Sequence, residues 1–304
     1  MKFIELTENL QMSQLVLGCM RMAEKTVEEA QQVIQTAFDQ GINMYDHADI
    51  YGGGKSEEIF AQALTKTNIN REDLILQSKV GIRKGFFDFS KEHILTSVDG
   101  ILQRLNTDYL DILLLHRPDT LMEPEEVAQA FDALYQAGKV RHFGVSNQNR
   151  GQIDLLQKFV DQPLRFNQLQ FGPAHTSMID AGINVNMQNA HAINRDQGIL
   201  EYCRLNDITI QPWSPFQVDL DQGLFINHKD YKRLTLCLKA FAEKYNVSLE
   251  AIVIAWMLRH PAKFQPIIGS MNPMRIQDMI RGTNIELSRP EWYEIYLSAG
   301  NILP

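Results

Sequence analysis

The chain has 304 residues, 44% hydrophobic and 22% charged, with a net charge of −8, an ordinary globular composition long enough to bury a large core without disulfide or metal staples. Lys and Arg are scattered rather than clustered, which excludes a phosphate-backbone partner such as nucleic acid. Three cysteines without a C-x-x-C argue against a disulfide frame or thiolate zinc site and suit a reducing cytoplasmic setting.

Residues 1–8 lack the basic-then-apolar pattern of a secretory signal. Residues 3–12 read as a small hairpin ahead of the main sheet. Short apolar or β-branched runs follow at 14–18, 41–45, 74–79, 110–116, 142–145, 166–170, 209–213 and 266–268, each trailed by a helix-like segment. Thr26 with Glu29 forms a capping box for a helix that Gly41 ends. Ser90 caps a helix over 93–105. Pro124 takes the first position of another, which Gly138 stops. Residues 171–196 carry no clear period and read as a long loop over the site. Ser248 caps an apolar helix that ends before Pro261. The apolar run 251–258 is too short to span a bilayer, so no membrane partner is expected.

Eight strands alternating with helices predict a parallel sheet. The count of eight, the lack of G-x-G-x-x-G after the first strand, and polar residues closing several different strands favour a (β/α)8 TIM barrel over a doubly wound sheet. One domain over 1–304 is expected.

Three apolar runs end in residues able to do acid–base chemistry. The second runs into Asp46, with Tyr51 five positions on; the third ends at Lys79 and the fourth at His116. In a parallel barrel these converge at one end, where the quartet can protonate a carbonyl. Singly each has a plainer reading: Asp46 a turn residue, Tyr51 a loop residue, Lys79 a solvated cation, His116 a satisfied core histidine. Their joint placement points to chemistry. Two other patterns carry none. Gly52-Gly53-Gly54-Lys55-Ser56 ends like a phosphate loop, but Asp49 stands where that loop needs glycine, so the glycines are expected to allow a tight turn beside Tyr51. No two histidines stand at H-x-x-x-H spacing, and no metal site is indicated.

The segment Asp46-His47-Ala48-Asp49-Ile50-Tyr51-Gly52 resembles the signature of the aldo-keto reductases, bacterial-type NADPH-dependent oxidoreductases. Ser78-Lys79-Val80, Leu114-Leu115-His116, Gly144-Val145-Ser146-Asn147, Asn167-Gln168, Trp213-Ser214-Pro215 and Ile268-Gly269-Ser270-Met271-Asn272-Pro273-Met274-Arg275 follow in that family's order. The resemblance covers essentially the whole chain. It implies a (β/α)8 barrel that reduces a small-molecule aldehyde or ketone with hydride from NADPH. Tyr51 is then the general acid, Lys79 and Asp46 tune it, and His116 orients the carbonyl. A free tyrosine titrates at about 10, and a nearby ammonium lowers that value, so Tyr51 is expected to be unusually acidic.

By the same resemblance Ser146, Asn147 and Gln168 hold the nicotinamide carboxamide. Trp213, with Ser214 behind it, stacks on the ring. Ser270, Asn272 and Arg275 meet the phosphates, with Pro273 opening a helix. Gly269 stands where many members have Lys and Met279 where many have Asn, so NADPH is preferred over NADH with one cation and one amide fewer. Met20, Phe171 and Met178, together with Trp213, are expected to line the substrate pocket. Two other readings stand beside this one: a nicotinamide-binding sensor or auxiliary subunit with incidental turnover, and a lyase or isomerase using Lys79 as a Schiff-base amine. The sequence does not choose the physiological substrate or the oligomeric state.

Overall fold

The computed structural model describes residues 1–7, 10–219 and 221–304. An antiparallel hairpin, β1 (Phe3–Thr7) and β2 (Leu10–Ser13), comes first. Residues 8 and 9 of the expected hairpin lie outside the described residues. Strands β3 (Val16–Gly18), β4 (Met44–Asp46) and β5 (Ile75–Val80) begin the main sheet. A short antiparallel pair that was not anticipated, β6 (Ile82–Arg83) and β7 (Phe86–Phe87), follows. The main sheet resumes with β8 (Leu110–Leu115), β9 (Val140–Ser146), β10 (Leu164–Gln170), β11 (Thr209–Trp213) and β12 (Ile267–Ile268). Its order is β11-β10-β9-β8-β5-β4-β3-β12, parallel at every step. The Gln265 N–H donates to the Ile210 carbonyl at 3.1 Å and closes the ring beside β11.

Outside lie α1 (Val27–Asp39), α2 (Lys55–Leu64), α3 (Lys91–Leu105), α4 (Pro124–Gln136), α5 (Arg150–Gln157), α6 (Ser177–Ile183), α7 (Ile199–Leu205), α8 (Lys232–Tyr245), α9 (Leu249–Leu258), α10 (Pro273–Arg281) and α11 (Arg289–Ser298). This is the expected (β/α)8 barrel. In α1 the buried Ala30, Val33, Ile34 and Ala37 repeat at helical spacing, and Thr26 and Glu29 form the capping box. Ser90 caps α3 by accepting from the His93 N–H. Helix α9 is buried from Ala251 to Met257 and packs against α8 and α10, which is why it is apolar all round.

Residues 171–196 are not the plain loop expected. They contain α6 and a 3-10 turn at Ala190–Ala192. Asp180 accepts from the Tyr296 hydroxyl at 2.8 Å and from Thr176 Oγ1 at 3.1 Å. The segment is therefore pinned to α11 rather than arched over the barrel mouth.

The barrel interior is layered. Met12, Val16, Met44, Ile75, Ile112, Leu114, Phe166 and Ile267 form an apolar cluster inside it, and Ile4, Leu6 and Leu10 of the hairpin pack against that cluster at the lower end. On that lower rim Asp111 accepts from Arg71 at 2.8 Å and from Arg141 at 3.1 Å. Both guanidinium groups also lie on the Tyr109 ring, at 4.0 and 3.8 Å.

Candidate active site

Asp46 ends β4, Ser146 ends β9 and Trp213 ends β11; Lys79 is the penultimate residue of β5, and His116 follows β8. All five therefore lie at the C-terminal end of the barrel, where this architecture carries its chemistry. All but Lys79 line one cavity of about 730 Å³. After β4 the chain turns sharply through Gly52, Gly53 and Gly54, whose φ values are 59°, 66° and 95°. A Cβ on Gly52 would sit 2.5 Å from the Ala23 Cβ, so both conformation and space demand glycine there. The turn directly follows Tyr51, which lines the cavity.

Lys79 Nζ donates to Asp46 Oδ2 at 2.8 Å, to the His47 carbonyl at 2.7 Å and to the Tyr51 hydroxyl at 3.1 Å. Three acceptors use all three ammonium protons. Burial works against the Lys79 charge, but Asp46 and Tyr51 more than offset it and its pKa is raised. Tyr51 is not the unusually acidic phenol expected. Burial drives it above its ordinary value, the Lys79 charge pulls it back only in part, and Asp46 pushes it up again. The ion pair is close to neutral as a unit, so desolvation dominates.

The His116 ring stands edge-on to Tyr51, with centroids 6.0 Å apart. Burial, then the charges of Lys79 and Arg117, hold its pKa well below the usual histidine value, so the imidazole is neutral. Its Nδ1 is buried without a partner. An unpartnered N–H is the worse orphan, which assigns the proton to Nε2. The Tyr51 hydroxyl and this N–H can act together on a carbonyl oxygen that gains charge.

A ring of amides supports Asp46 from below. Its Oδ1 accepts from Gln77 Nε2 at 2.7 Å and from Gln168 Nε2 at 2.8 Å. The same two amides donate to Gln211 Oε1 at 3.0 and 3.2 Å. Gln211 Nε2 continues to Gln265 Oε1 at 2.9 Å, and Gln265 Nε2 to the Ser13 carbonyl at 2.8 Å. Since β5 and β11 are not neighbours in the sheet, the Gln77–Gln211 bond crosses the barrel interior. Gln77 and Gln211 were not anticipated. Gln77 lies two residues before Lys79, and the two-residue period of a strand puts both on one face. Because the Gln168 amide nitrogen is engaged, its carbonyl oxygen is the atom left to meet a ligand.

At the cavity wall Ser146 Oγ donates to the backbone carbonyl of Gln168 at 3.2 Å, leaving the side-chain Oε1 free, and accepts from Asn147 Nδ2 at 2.8 Å. Trp213 Nε1 donates to Asn147 Oδ1 at 3.1 Å. Ser214, Ser270, Asn272 and Arg275 also line the cavity. Part of Asn272 is already used: its Oδ1 caps α10 by accepting from the Met274 and Arg275 N–H groups at 2.9 and 3.4 Å. Gly269 leaves open space, with nothing within 4 Å of a Cβ built there. Aromatic face, amides, hydroxyls, helix start and guanidinium thus lie in one cleft and fit an extended nicotinamide dinucleotide.

Met20 lines the cavity and is 53% exposed. Phe171 and Met178 do not border it. Phe171 is sealed in the core, stacked 5.4 Å from Trp256 and tilted against Phe264 at 4.9 Å, and Met178 is buried in the same core. The wall is completed instead by Ile50, Ile82, Arg117 and, after β11, Phe216, Gln217, Gly223, Leu224 and Ile226. Two signals point to six of these residues: Arg117 directly follows His116, and the last five follow the C-terminal end of a barrel strand.

Behind the cavity Glu57 is fully buried. Ser78 Oγ donates to it at 2.8 Å and Arg104 Nε at 2.7 Å. Nearby Asp49 is pushed up to about 7 by burial and by the Glu57 charge. Among the described residues no group of three His, Cys, Asp or Glu could hold a metal ion, and no helix is long and apolar enough to cross a membrane.

Residues 14–296 match the model of the aldo/keto reductase family. The chain is 34% identical to an uncharacterized oxidoreductase, YcsN, of Bacillus subtilis, over 97% of each chain. It is 35% identical to the oxidoreductase YdhF of Escherichia coli, over 94% of this chain and 93% of the other. A 6-dehydroglucose reductase of Agrobacterium fabrum is 31% identical over 98% of each. Among solved structures, a thermostable aldo-keto reductase, Tm1743, in complex with the inhibitor epalrestat superposes with a TM-score of 0.78 at 25% identity, covering 98% of this chain and 100% of that one.

Proposed function

The chain belongs to the aldo/keto reductase family of oxidoreductases, and from that premise we propose that it reduces aldehydes or ketones to alcohols with NADPH. The observation that carries the reading is Lys79 Nζ, bonded at once to Asp46 and to the Tyr51 hydroxyl at the cavity wall. Reduction puts hydride on the carbonyl carbon and a proton on its oxygen. Bound NADPH supplies the hydride.

In this reading Tyr51 gives its hydroxyl proton to the carbonyl oxygen. A phenol whose pKa burial keeps above the ordinary value is fully protonated at neutral pH, as the donor must be. Lys79 steadies the phenolate left behind through its 3.1 Å contact, and Asp46 holds the ammonium in place. Neutral His116 donates from Nε2 to the same carbonyl oxygen and fixes its direction. Gln168, through its carbonyl oxygen, and Ser146 and Asn147 hold the carboxamide. Trp213, with Ser214 behind it, backs the ring, and Ser270, Asn272 and Arg275 meet the phosphates. Arg275 is the reason to prefer NADPH over NADH, since a guanidinium suits a further phosphate. The three free cysteines agree with a cytoplasmic setting.

Tyr51→Phe tests the assignment. It should bind NADPH like the parent and lose turnover by about 10²- to 10⁴-fold. A Tyr51→Phe protein that reduces an aldehyde panel at the parental rate removes Tyr51 from the proposal.

A further inference from the structure

Arg117 is the one half-buried arginine of the reactive end whose charge nothing in the described protein answers. Two partly buried arginines elsewhere are ion-paired, Arg71 with Asp111 at 2.8 Å and Arg104 with Glu57 at 2.7 Å; a third, Arg259, donates to the Leu287 carbonyl at 2.7 Å, away from the cavity. Among the described residues no carboxylate lies within ion-pair distance of Arg117. Its Cζ lies 5.4 Å from the centre of the Trp213 ring. That contact holds the guanidinium in the cavity wall but satisfies none of its five N–H donors. Burial lowers its pKa, and only Tyr51 pulls it back. Arg117 and Lys79 also both bear on His116. A second cation is thus kept, unpaired, next to the residues that would act on the carbonyl. Asp46 cannot answer it, because its carboxylate is committed to Lys79 and two amides.

We infer that Arg117 is a specificity-determining residue: it receives an oxyanion, carboxylate or phosphate, carried by a carbonyl substrate whose C=O lies at Tyr51 and His116. The guanidinium fork matches either anion with two parallel hydrogen bonds. Its neighbours are Trp213, His116 and Tyr51, whereas Arg275 with Ser270 and Asn272 serves the phosphate end of the cleft, so the anion belongs to the substrate. Exposed Met20, Ile50 and Leu224 on the cavity supply apolar contact for the carbon chain between the two polar ends. The inference rests on the reductase reading and narrows it to anionic carbonyl compounds.

The experiment measures kcat/KM with NADPH for two matched pairs, succinic semialdehyde against butanal and glyceraldehyde 3-phosphate against glyceraldehyde. The parent should prefer the anionic member of at least one pair; the pair that shows it says whether the group is a carboxylate or a phosphate. Arg117→Met should lower that anionic-to-neutral ratio about 10- to 100-fold, mainly through KM, and Arg117→Lys should keep part of it. Taking the ratio removes any general loss of activity. A parental ratio at or below one for both pairs, or a ratio that Arg117→Met leaves unchanged, overturns the inference and leaves the reductase reading standing. If no carbonyl is reduced at all, the reductase reading fails on its own. The anion site is then read by titrating the NADPH complex with succinate and with inorganic phosphate, following tryptophan fluorescence, because Trp213 lies against Arg117. Saturable binding that weakens about tenfold or more in Arg117→Met supports the site; no saturable change in the parent overturns it.

Discussion

Lys79 Nζ stands 3.1 Å from the Tyr51 hydroxyl and 2.8 Å from Asp46 Oδ2, so one buried cation answers both a carboxylate and a phenol. Removing it separates two effects. Lys79→Met leaves Asp46 without its counter-charge and should lower stability by about 3–5 kcal/mol, while turnover falls about 10²- to 10⁴-fold. The double variant Lys79→Met, Asp46→Asn removes both charges and should regain much of the stability but none of the turnover. Urea unfolding and steady-state kinetics on the three proteins check this; full turnover in Lys79→Met would free Tyr51 from any dependence on the ammonium.

Because His116 titrates well below the usual histidine range and Tyr51 above the usual phenol value, neither changes protonation near neutrality. The kcat/KM for aldehyde reduction at saturating NADPH should be flat over roughly pH 6 to 9. An acid limb with a midpoint at about 6.5 would show that His116 titrates as an ordinary imidazole.

Asp49 makes stability depend on pH. Folded, it keeps its proton up to about 7; unfolded, a free aspartate releases it at about 4. Between those values the folded state binds more protons, so this group's stabilising contribution, complete below about pH 4, is lost as pH rises toward 7. Asp49→Asn should therefore exceed the parent in stability at pH 8, by about 1–2 kcal/mol allowing for partial exposure, and match it near pH 4. Denaturant midpoints at the two pH values decide it. A gap of the same size at both would point to packing instead.

Gln77 gives hydrogen bonds to Asp46 and Gln211 at once. Gln77→Leu leaves both acceptors short and should cost about 1–3 kcal/mol, with a fall in kcat of about tenfold or less, since Asp46 keeps Lys79 and Gln168. Thermal unfolding alongside kcat checks the split. A loss of kcat as deep as that of Lys79→Met would place Gln77 much closer to proton transfer.

The strand ends were legible because a polar residue closing an apolar run is conspicuous: Asp46, Lys79 and His116 each do so, and each sits where expected. Capping residues such as Thr26, Ser90 and Ser248 were legible because they act within three residues of themselves. What failed depends on distance or on burial. The sequence shows that Tyr51 has an ammonium neighbour, but its pKa is set by desolvation, which is a sum over the whole fold. Gln77 and Gln211 meet across 134 residues of chain. Phe171 follows a strand end, as a pocket residue would, yet turns inward onto Trp256. Helix α6 has only seven residues, too few for its period to register.

The grip of Arg71 and Arg141 on Asp111 and Tyr109 lies at the opposite end of the cylinder from Asp46, Lys79 and His116. Fastening and chemistry are thereby assigned to separate poles. The upper connections, above all the stretch after Trp213, are free to be exchanged for others of different shape while the lower rim keeps the staves together, which makes this scaffold one whose taste in substrates can be altered without loosening its frame.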